Sequence, residues 1–229
     1  MIKDCNMTGT IVNTGAVLAG SFIGIAAGRH LPERVKTTAV QALGLAVILI
    51  GIQMALSGED LIAVIGCLLL GAVAGEFMKI EQGIEACGRR LKHWSGSSSG
   101  TFVQGFVSAS LIYVTGAMTI VGSIQDGTVG DSSILYIKSL LDGTISVALA
   151  STYGIGVAFS ALSVLVVQGS ITLLASRLLF LQEPAVLTMI TATGGLLILG
   201  IGINLLNLAV IRVGNLIPGL VFATLWGLR

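Results

Sequence analysis

Long apolar runs separated by short polar stretches set the pattern of this chain. Thr8 to Ala27, Val40 to Ser57, Leu61 to Met78, Phe102 to Ile124, Ser133 to Ser151, Gly156 to Leu179, Val186 to Leu208 and Val213 to Trp226 are each predominantly apolar. A helix rises about 1.5 Å per residue, so about 20 such residues cross the roughly 30 Å hydrocarbon layer of a bilayer. The pattern predicts an all-α polytopic membrane fold of about eight transmembrane helices. Ser133 to Phe180 is too long for one crossing and too short for three, and Gly154-Ile155-Gly156 is its natural break. A count of seven stays open at that stretch.

The longest polar interruption runs from Glu81 to Gly100 and carries Arg89, Arg90, Lys92 and the Ser/Gly tract Ser95 to Gly100, a composition that suits a flexible linker. The expected organisation is a three-span segment over 1–80, a cytoplasmic polar linker over 81–100, a central helix pair over 101–154 and a second three-span segment over 155–229.

Composition narrows the class. Of 229 residues, 54% are hydrophobic and 10% charged, whereas soluble domains carry about 25% charged residues. The formal net charge of +1 shows neither the basic excess of a nucleic-acid binder nor an acidic tail. The lipid bilayer is the expected partner and nucleic acid is not. Glycine is enriched, 31 against 3 prolines, and in apolar helices it lets backbones approach closely. Cys5, Cys67 and Cys87 have no C-x-x-C spacing and are assigned neither disulfide nor metal. The start, Met1 to Asp4, lacks a basic n-region, so the first span is expected to stay in the mature protein. With eight spans, Arg29, Arg34, Lys36, Lys79, Arg89, Arg90, Lys92 and Arg212 share one side, against Lys3, Lys138, Arg177 and Arg229 on the other. The first set should face the cytoplasm, with both termini opposite.

An internal similarity links the two ends. Sliding the chain by 151 positions aligns Gly44-Leu45-Ala46-Val47 with Gly195-Leu196-Leu197-Ile198, and Ile50-Gly51-Ile52-Gln53 with Ile201-Gly202-Ile203-Asn204. The preceding linkers, Pro32 to Thr37 and Glu183 to Thr188, also correspond, and Asn13-Thr14-Gly15 resembles Gln168-Gly169-Ser170 after a small change of offset. Spans one to three would then repeat as six to eight. An odd number of crossings separates equivalent spans, so the copies would be inverted, an architecture of secondary transporters with sites near the midplane.

Several segments also resemble a known family. Gly122-Ser-Ile-Gln-Asp-Gly127, Lys138-Ser-Leu-Leu-Asp-Gly143 and Ala150-Ser-Thr-Tyr-Gly154, with Gly9-Thr-Ile-Val-Asn13 and Gly75-Glu76, resemble the YqgA/YdfK-like family of bacterial inner-membrane proteins, a domain of unknown function. The resemblance covers nearly the whole chain. It implies a multi-pass location in the bacterial inner (cytoplasmic) membrane and carries over no substrate or catalytic residue.

Polar groups inside spans are the candidate chemistry. An ionisable group there costs about 2.5–3.5 kcal/mol on insertion scales. Asp142 follows Lys138 by four residues, so the two share a helix face, where pairing could offset part of that cost; the alternative is that the helix starts late and both sit at the interface. Asp126 closes the fourth span, and Ser123-Ile-Gln-Asp-Gly127 echoes Ser139-Leu-Leu-Asp-Gly143, a set of oxygens suited to a hard cation or to a polar turn capping two helices. Asp131 reads as solvated. Asn13, Gln53, Gln168 and Asn204 lie within apolar runs and need partners, whether in interhelical bonds or along a polar path. Glu76 reads as interfacial, and His30 and His93 fall in loops.

No His-Glu-x-x-His motif or phosphate-binding loop occurs, and Gly96 to Gly100, which has the Gly-x-Ser-x-Gly spacing, belongs to the Ser/Gly linker tract and reads as no nucleophile elbow. No enzymatic activity and no cofactor are expected. The leading expectation is a transporter or channel for a small ion or solute, with Asp126, Lys138 and Asp142 as its charged centre and Asn13, Gln53, Gln168 and Asn204 along the path. The alternative is a non-transporting scaffold or sensor whose contact surface is Glu81 to Gly100. A homodimer is compatible with so small a chain.

Overall fold

A computed structural model of the chain describes residues 7–229. Lys3 and Cys5, used above for orientation and thiol chemistry, lie outside the described residues, as does the start Met1 to Asp4. The chain forms α1 (Thr8–Gly28), α2 (Glu33–Ala55), α3 (Leu61–Met78), α4 (Ile80–Trp94), α5 (Phe102–Val114), α6 (Ala117–Thr128), α7 (Ser133–Tyr153), α8 (Ile155–Leu173), α9 (Pro184–Leu205) and α10 (Pro218–Gly227), with short 3-10 turns before α9 and α10 and no strand among the described residues.

Among the described residues, six helices are long and apolar enough to cross a membrane: α1, α2, α3, α7, α8 and α9. The fourth expected span is broken into α5 and α6, which are bent by 63° and make a seventh crossing if taken together. The freed Tyr113 carbonyl accepts the Thr119 hydroxyl at 2.9 Å, which answers the hydrogen bond lost at the break. The eighth is short because Val213–Leu216 is a tight turn and Pro218, which has no N–H, starts α10 anew. The division between α7 and α8 falls at Gly154, whose φ of 70° and ψ of −146° place it where only glycine is comfortable.

The expected flexible linker is instead mostly helix. In α4 the apolar Ile80, Ile84, Cys87 and Leu91 recur at helical spacing while Glu81, Glu85, Arg89 and Lys92 fill the remaining turns. Acids in the first turn and bases in the last also complement the helix dipole. Only the Ser/Gly tract after Trp94 is irregular. Lys79, with φ 56°, turns the chain sharply between α3 and α4.

Two compact units are interleaved along the sequence. One takes the chain through Ala39, Gly88–Val114 and Met118–Leu179; the other takes Val40–Cys87, Thr115–Ala117 and Phe180–Arg229. The four expected segments are not the boundaries of these units.

In the first unit, Gly20, Gly24 and Gly28 of α1 lie directly on the carbonyls of Gly143, Val147 and Ser151 in α7, a seam of three turns with no side chain between the two backbones. Such close approach supplies the packing that lipid does not drive. The two helices run parallel along it. Antiparallel to α1 packs α8, with Thr10 beside Thr172 and Asn13 beside Gln168.

In the second unit, α2 and α9 cross antiparallel at glycines. A Cβ on Gly51 would fall 2.6 Å from Leu199 N and 2.9 Å from Gly195 O; one on Gly202 would fall 3.0 Å from Ile48 N and 3.1 Å from Gly44 O. Gly44 meets Leu206, and Gly195 meets Ala55. There α3 also packs antiparallel on α10, Gly71 against Gly219, and Gly75 meets Asn215 in the turn before it.

The outer surfaces are apolar. Ile62 is 85% exposed, Phe77 84% and Leu140 73%, while Thr10, Asn13, Ser123, Ser146, Gln168 and Thr172 are completely buried. Water would penalise this inverted distribution and hydrocarbon favours it, so the protein is a membrane protein.

Candidate ion and solute site

The buried polar groups of the first unit converge on Asn13. Its position on α1 places it in the buried stripe Thr10, Asn13, Val17, Gly20, Ser21, Gly24, which follows the i+3/i+4 rule. The Asn13 amide NH2 donates to Asp142 Oδ2 of α7 at 3.0 Å and to Gln168 Oε1 of α8 at 2.9 Å. One side chain thereby links three helices. Gln168 in turn donates to Thr10 Oγ1 at 3.1 Å, whose hydroxyl lies 3.2 Å from that of Thr172.

On α7, Lys138, Asp142 and Ser146 follow one another at four-residue intervals and all are buried. Lys138 Nζ donates to Asp142 Oδ2, forming a buried ion pair. The helix does not start late: α7 begins at Ser133, and both residues lie within it, buried against the rest of the unit. One turn further on, the Ser146 hydroxyl lies 2.7 Å from Tyr113 OH of α5.

This network is incomplete. Among the described residues, Asn13 Oδ1, fully buried, has no hydrogen-bond partner, and neither do the buried hydroxyls of Ser21 and Ser123. An unmet buried acceptor costs about 1–3 kcal/mol. The arrangement thus holds a fixed ammonium, a carboxylate, two amides and a free oxygen where hydrocarbon surrounds the helices. Chemically it can receive a cation, a proton or a donor-bearing solute at Asp142 and Asn13. Among the described residues no group of three His, Cys, Asp or Glu side chains could hold a metal ion.

The other candidates lie elsewhere. Asp126, in the same unit, accepts Gly9 N at 3.2 Å and the Ser132 hydroxyl at 2.6 Å. It thereby caps the N-terminus of α1, where backbone N–H groups lack helical partners, and does not bond to Lys138. Gln53 belongs to the second unit and is exposed near the end of α2. Asn204, also in that unit, donates to Ile211 O at 2.7 Å and accepts Ile211 N at 2.8 Å, which holds the turn after α9. Asp131 is exposed and accepts Ser133 N at 2.9 Å; the Ser133 hydroxyl, and then this backbone bond, hold its carboxyl below the usual range. Glu76 is exposed and paired with Arg212 at 2.9 Å and Asn215 at 2.6 Å.

Sequence reasoning missed Thr10, Thr172, Tyr113, Ser146 and a second polar staple. In that staple Asn215 accepts Glu81 N at 2.8 Å, and Glu81 accepts Gly214 N at 2.5 Å. Burial pushes the Glu81 carboxyl up from its ordinary range, against the lowering effect of those backbone bonds. Hydroxyls in membrane helices often bond their own preceding turn, as Thr14 does to Thr10 O, so their presence alone carries no signal. Tyr113 and Asn215, polar within apolar runs, did carry one.

A family model described as "Protein of unknown function (DUF554)" matches residues 8–228. The chain is 30% identical over 220 residues to "Uncharacterized protein YqgA" of Escherichia coli (strain K12), covering 94% of each. It is 31% identical over 218 residues to "Uncharacterized membrane protein YdfK" of Bacillus subtilis (strain 168), covering 93% of each. No solved structure matches the chain.

Proposed function

The chain belongs to the DUF554 family, and from that premise we propose that it is a multi-pass protein of the bacterial inner membrane that moves a small ion or solute, as a carrier or a channel. One observation carries the reading: a buried ammonium, a carboxylate and two amides meet inside helices long enough to cross a bilayer, beside an acceptor, Asn13 Oδ1, that no group among the described residues satisfies. An oxygen free at that place can coordinate a cation or accept from a solute's donor. A cation reaching Asp142 has to displace the Lys138 ammonium, which then serves as the internal counter-charge. Asn13 and Gln168 line the path. We assign the protein no catalytic activity, cofactor or nucleic-acid partner.

The packing supports an inverted three-helix repeat of spans 1–3 and 6–8. Helices equivalent in the 151-residue shift pack antiparallel: α1 with α8, α2 with α9 and α3 with α10. Under that shift the glycine contacts exchange with one another, Gly44/Leu206 with Gly195/Ala55 and Gly51/Leu199 with Gly202/Ile48. Reciprocal contacts of this kind arise from a local twofold relation, the setting in which transporters place midplane sites.

A second reading, a scaffold or sensor, is favoured by Asp126 and Asn204, whose polar atoms are spent on backbone groups. The discriminating experiment is thermal stability of the purified protein across pH, Na⁺, K⁺, Mg²⁺, Mn²⁺ and simple anions, for wild type and Asp142→Asn. A ligand of the folded state stabilises by about 2.7 kcal/mol at a hundredfold excess over its dissociation constant. Selective stabilisation by one ion, lost in Asp142→Asn, supports transport and names the ion to follow into liposomes. Indifference of the wild type to every ion removes ion binding from Asp142 and favours the scaffold, in which any loss of stability in Asp142→Asn reflects only the broken pair with Lys138.

A further inference from the structure

A cleft of about 470 Å³ opens on the surface of the first unit between α1, α4 and α8, within the range of about 300–1,000 Å³ that holds small ligands. Its walls are almost wholly apolar and include Phe22, Trp94, Phe159, Leu162 and Leu165, with Thr14 at the far end. The hydroxyl of Thr14 is turned to its own helix, bonding Thr10 O. Because α1 and α8 are antiparallel, Phe22 lies towards the Ile155 end of α8 and Thr14 towards the Leu165 end. The cleft therefore runs along both helices for eight to ten residues, about 12–15 Å.

One end has a chemical character of its own. Trp94, 80% exposed, stands edge-on to Phe159 with ring centres 6.5 Å apart and marks the end nearest α4. Arg90 precedes Trp94 by one helical turn on the same face, and Lys92 flanks Leu91, another wall residue. From Ala86 to Gln125 the sequence contains no Asp or Glu, so no carboxylate on α4 beyond its first turns or on α5 offsets these cations. An amphipathic helix with basic residues and a tryptophan at one end is built to lie at a membrane interface.

We infer that this cleft is a binding site for one anionic phospholipid, an acyl chain lying along α1 and α8 and the phosphate held at Arg90 and Lys92. A second copy of the chain could fill an apolar cleft. In the same membrane orientation, however, it would bring the same cations to the same end and repel. A zwitterionic lipid would satisfy the walls and leave the cations with no net charge to answer. The occupied cleft braces the two helices that carry Asn13 and Gln168, yet its residues are distinct from theirs, so the site stands or falls separately from the transport reading.

The test uses full-length protein, delipidated in a mild detergent and titrated with phosphatidylglycerol, with phosphatidylcholine of identical chains, or with sn-glycerol 3-phosphate. Native mass spectrometry counts bound lipid and thermal unfolding reads stabilisation. The expected result is one retained phosphatidylglycerol per chain and a saturable rise in Tm that the other two probes do not give. Arg90→Gln with Lys92→Gln should weaken apparent affinity about thirtyfold, because each interfacial cation contributes about fivefold to anionic lipid binding. Leu162→Trp, half-exposed and able to fill the cleft, should abolish the saturable phase while leaving the starting Tm near wild type. Equal shifts with phosphatidylcholine would mean that only the walls matter. Equal shifts with glycerol phosphate would mean that the cations bind a soluble anion. Either result, no shift with any probe, or an undiminished preference in the Arg90/Lys92 variant, overturns the assignment.

Discussion

Breaking the Lys138–Asp142 pair should cost far more than removing it. Both residues are about 5% exposed, and among the described residues Lys138 donates only to Asp142. Truncating one partner of a buried pair typically costs about 3–5 kcal/mol, because the other charge is left uncompensated; replacing both by apolar residues of similar size is often neutral or stabilising by about 1–4 kcal/mol. The geometry adds an asymmetry. In Lys138→Met, Asp142 keeps the Asn13 amide at 3.0 Å, worth about 1.5–3 kcal/mol as a bond to a charged group. In Asp142→Leu, Lys138 keeps nothing. We expect losses of about 3 kcal/mol for Lys138→Met and about 4–5 kcal/mol for Asp142→Leu, with the double variant within about 1 kcal/mol of wild type. Reversible unfolding in mixed SDS micelles, followed by circular dichroism, measures all four corners of the cycle. Additive losses, agreeing within about 0.5 kcal/mol, would mean that the two charges do not depend on one another and would refute the reasoning. A stable double variant that no longer responds to ions or moves solute would separate the pair's role in function from its cost to the fold.

Four further outcomes follow from other parts of the structure. On the seam with α7, Gly24→Val should lower stability by about 1–3 kcal/mol through overpacking, whereas Gly15→Ala, where an added Cβ meets nothing within 4 Å, should raise it by about 0.4–1 kcal/mol; SDS midpoints rank the two. Asp126→Ala should cost about 1–3 kcal/mol because Gly9 N and the Ser132 hydroxyl lose their acceptor, and Asp126→Asn clearly less; a silent Asp126→Ala would remove its role as a cap. Glu81, with a carboxyl raised in the folded state, contributes stability that is present below its unfolded pKa and lost as pH rises through the folded one, so Glu81→Gln should flatten the fall in Tm on going from about pH 4 to neutrality. With Cys87 left as the one cysteine, a membrane-impermeant maleimide should label it only after cells are opened, because α4 is expected on the cytoplasmic side; labelling of intact cells would invert the topology.

Local patterns were readable where a single helix decided them. The four-residue spacing of Lys138 and Asp142 fixed a shared face, and Gly154 could serve as a joint because its backbone angles exclude other residues. The link between Asn13 and Gln168 was hinted at only through the internal similarity, since the two are 155 positions apart. Asp126 stayed open between a cation site and a capping turn for the same reason: the N–H it caps is 117 positions away and belongs to another helix. Asn204 looked like part of a polar path, yet its amide matches the backbone of Ile211 seven residues on, a turn that apolar composition does not announce. The polarity of Glu81 to Gly100 hid the period of Ile80, Ile84 and Leu91, because composition and periodicity are separate signals. Thr115 and Gly116 carried too little local chemistry to foretell the 63° bend.

The glycine seam has a mechanical meaning. Where Gly20, Gly24 and Gly28 lie on main-chain carbonyls, α1 cannot slide along α7 without driving backbone into backbone, so the two helices behave as one stiff blade. Across its other face α1 meets α8 through exchangeable side-chain bonds, Asn13 to Gln168 and Thr10 to Thr172, which can lengthen, pivot and re-form at small expense. Compliance is concentrated on that second face. If the bundle rocks, the blade that carries Asn13 and Asp142 should turn as a unit, and the joint that yields is its contact with Gln168 and Thr172.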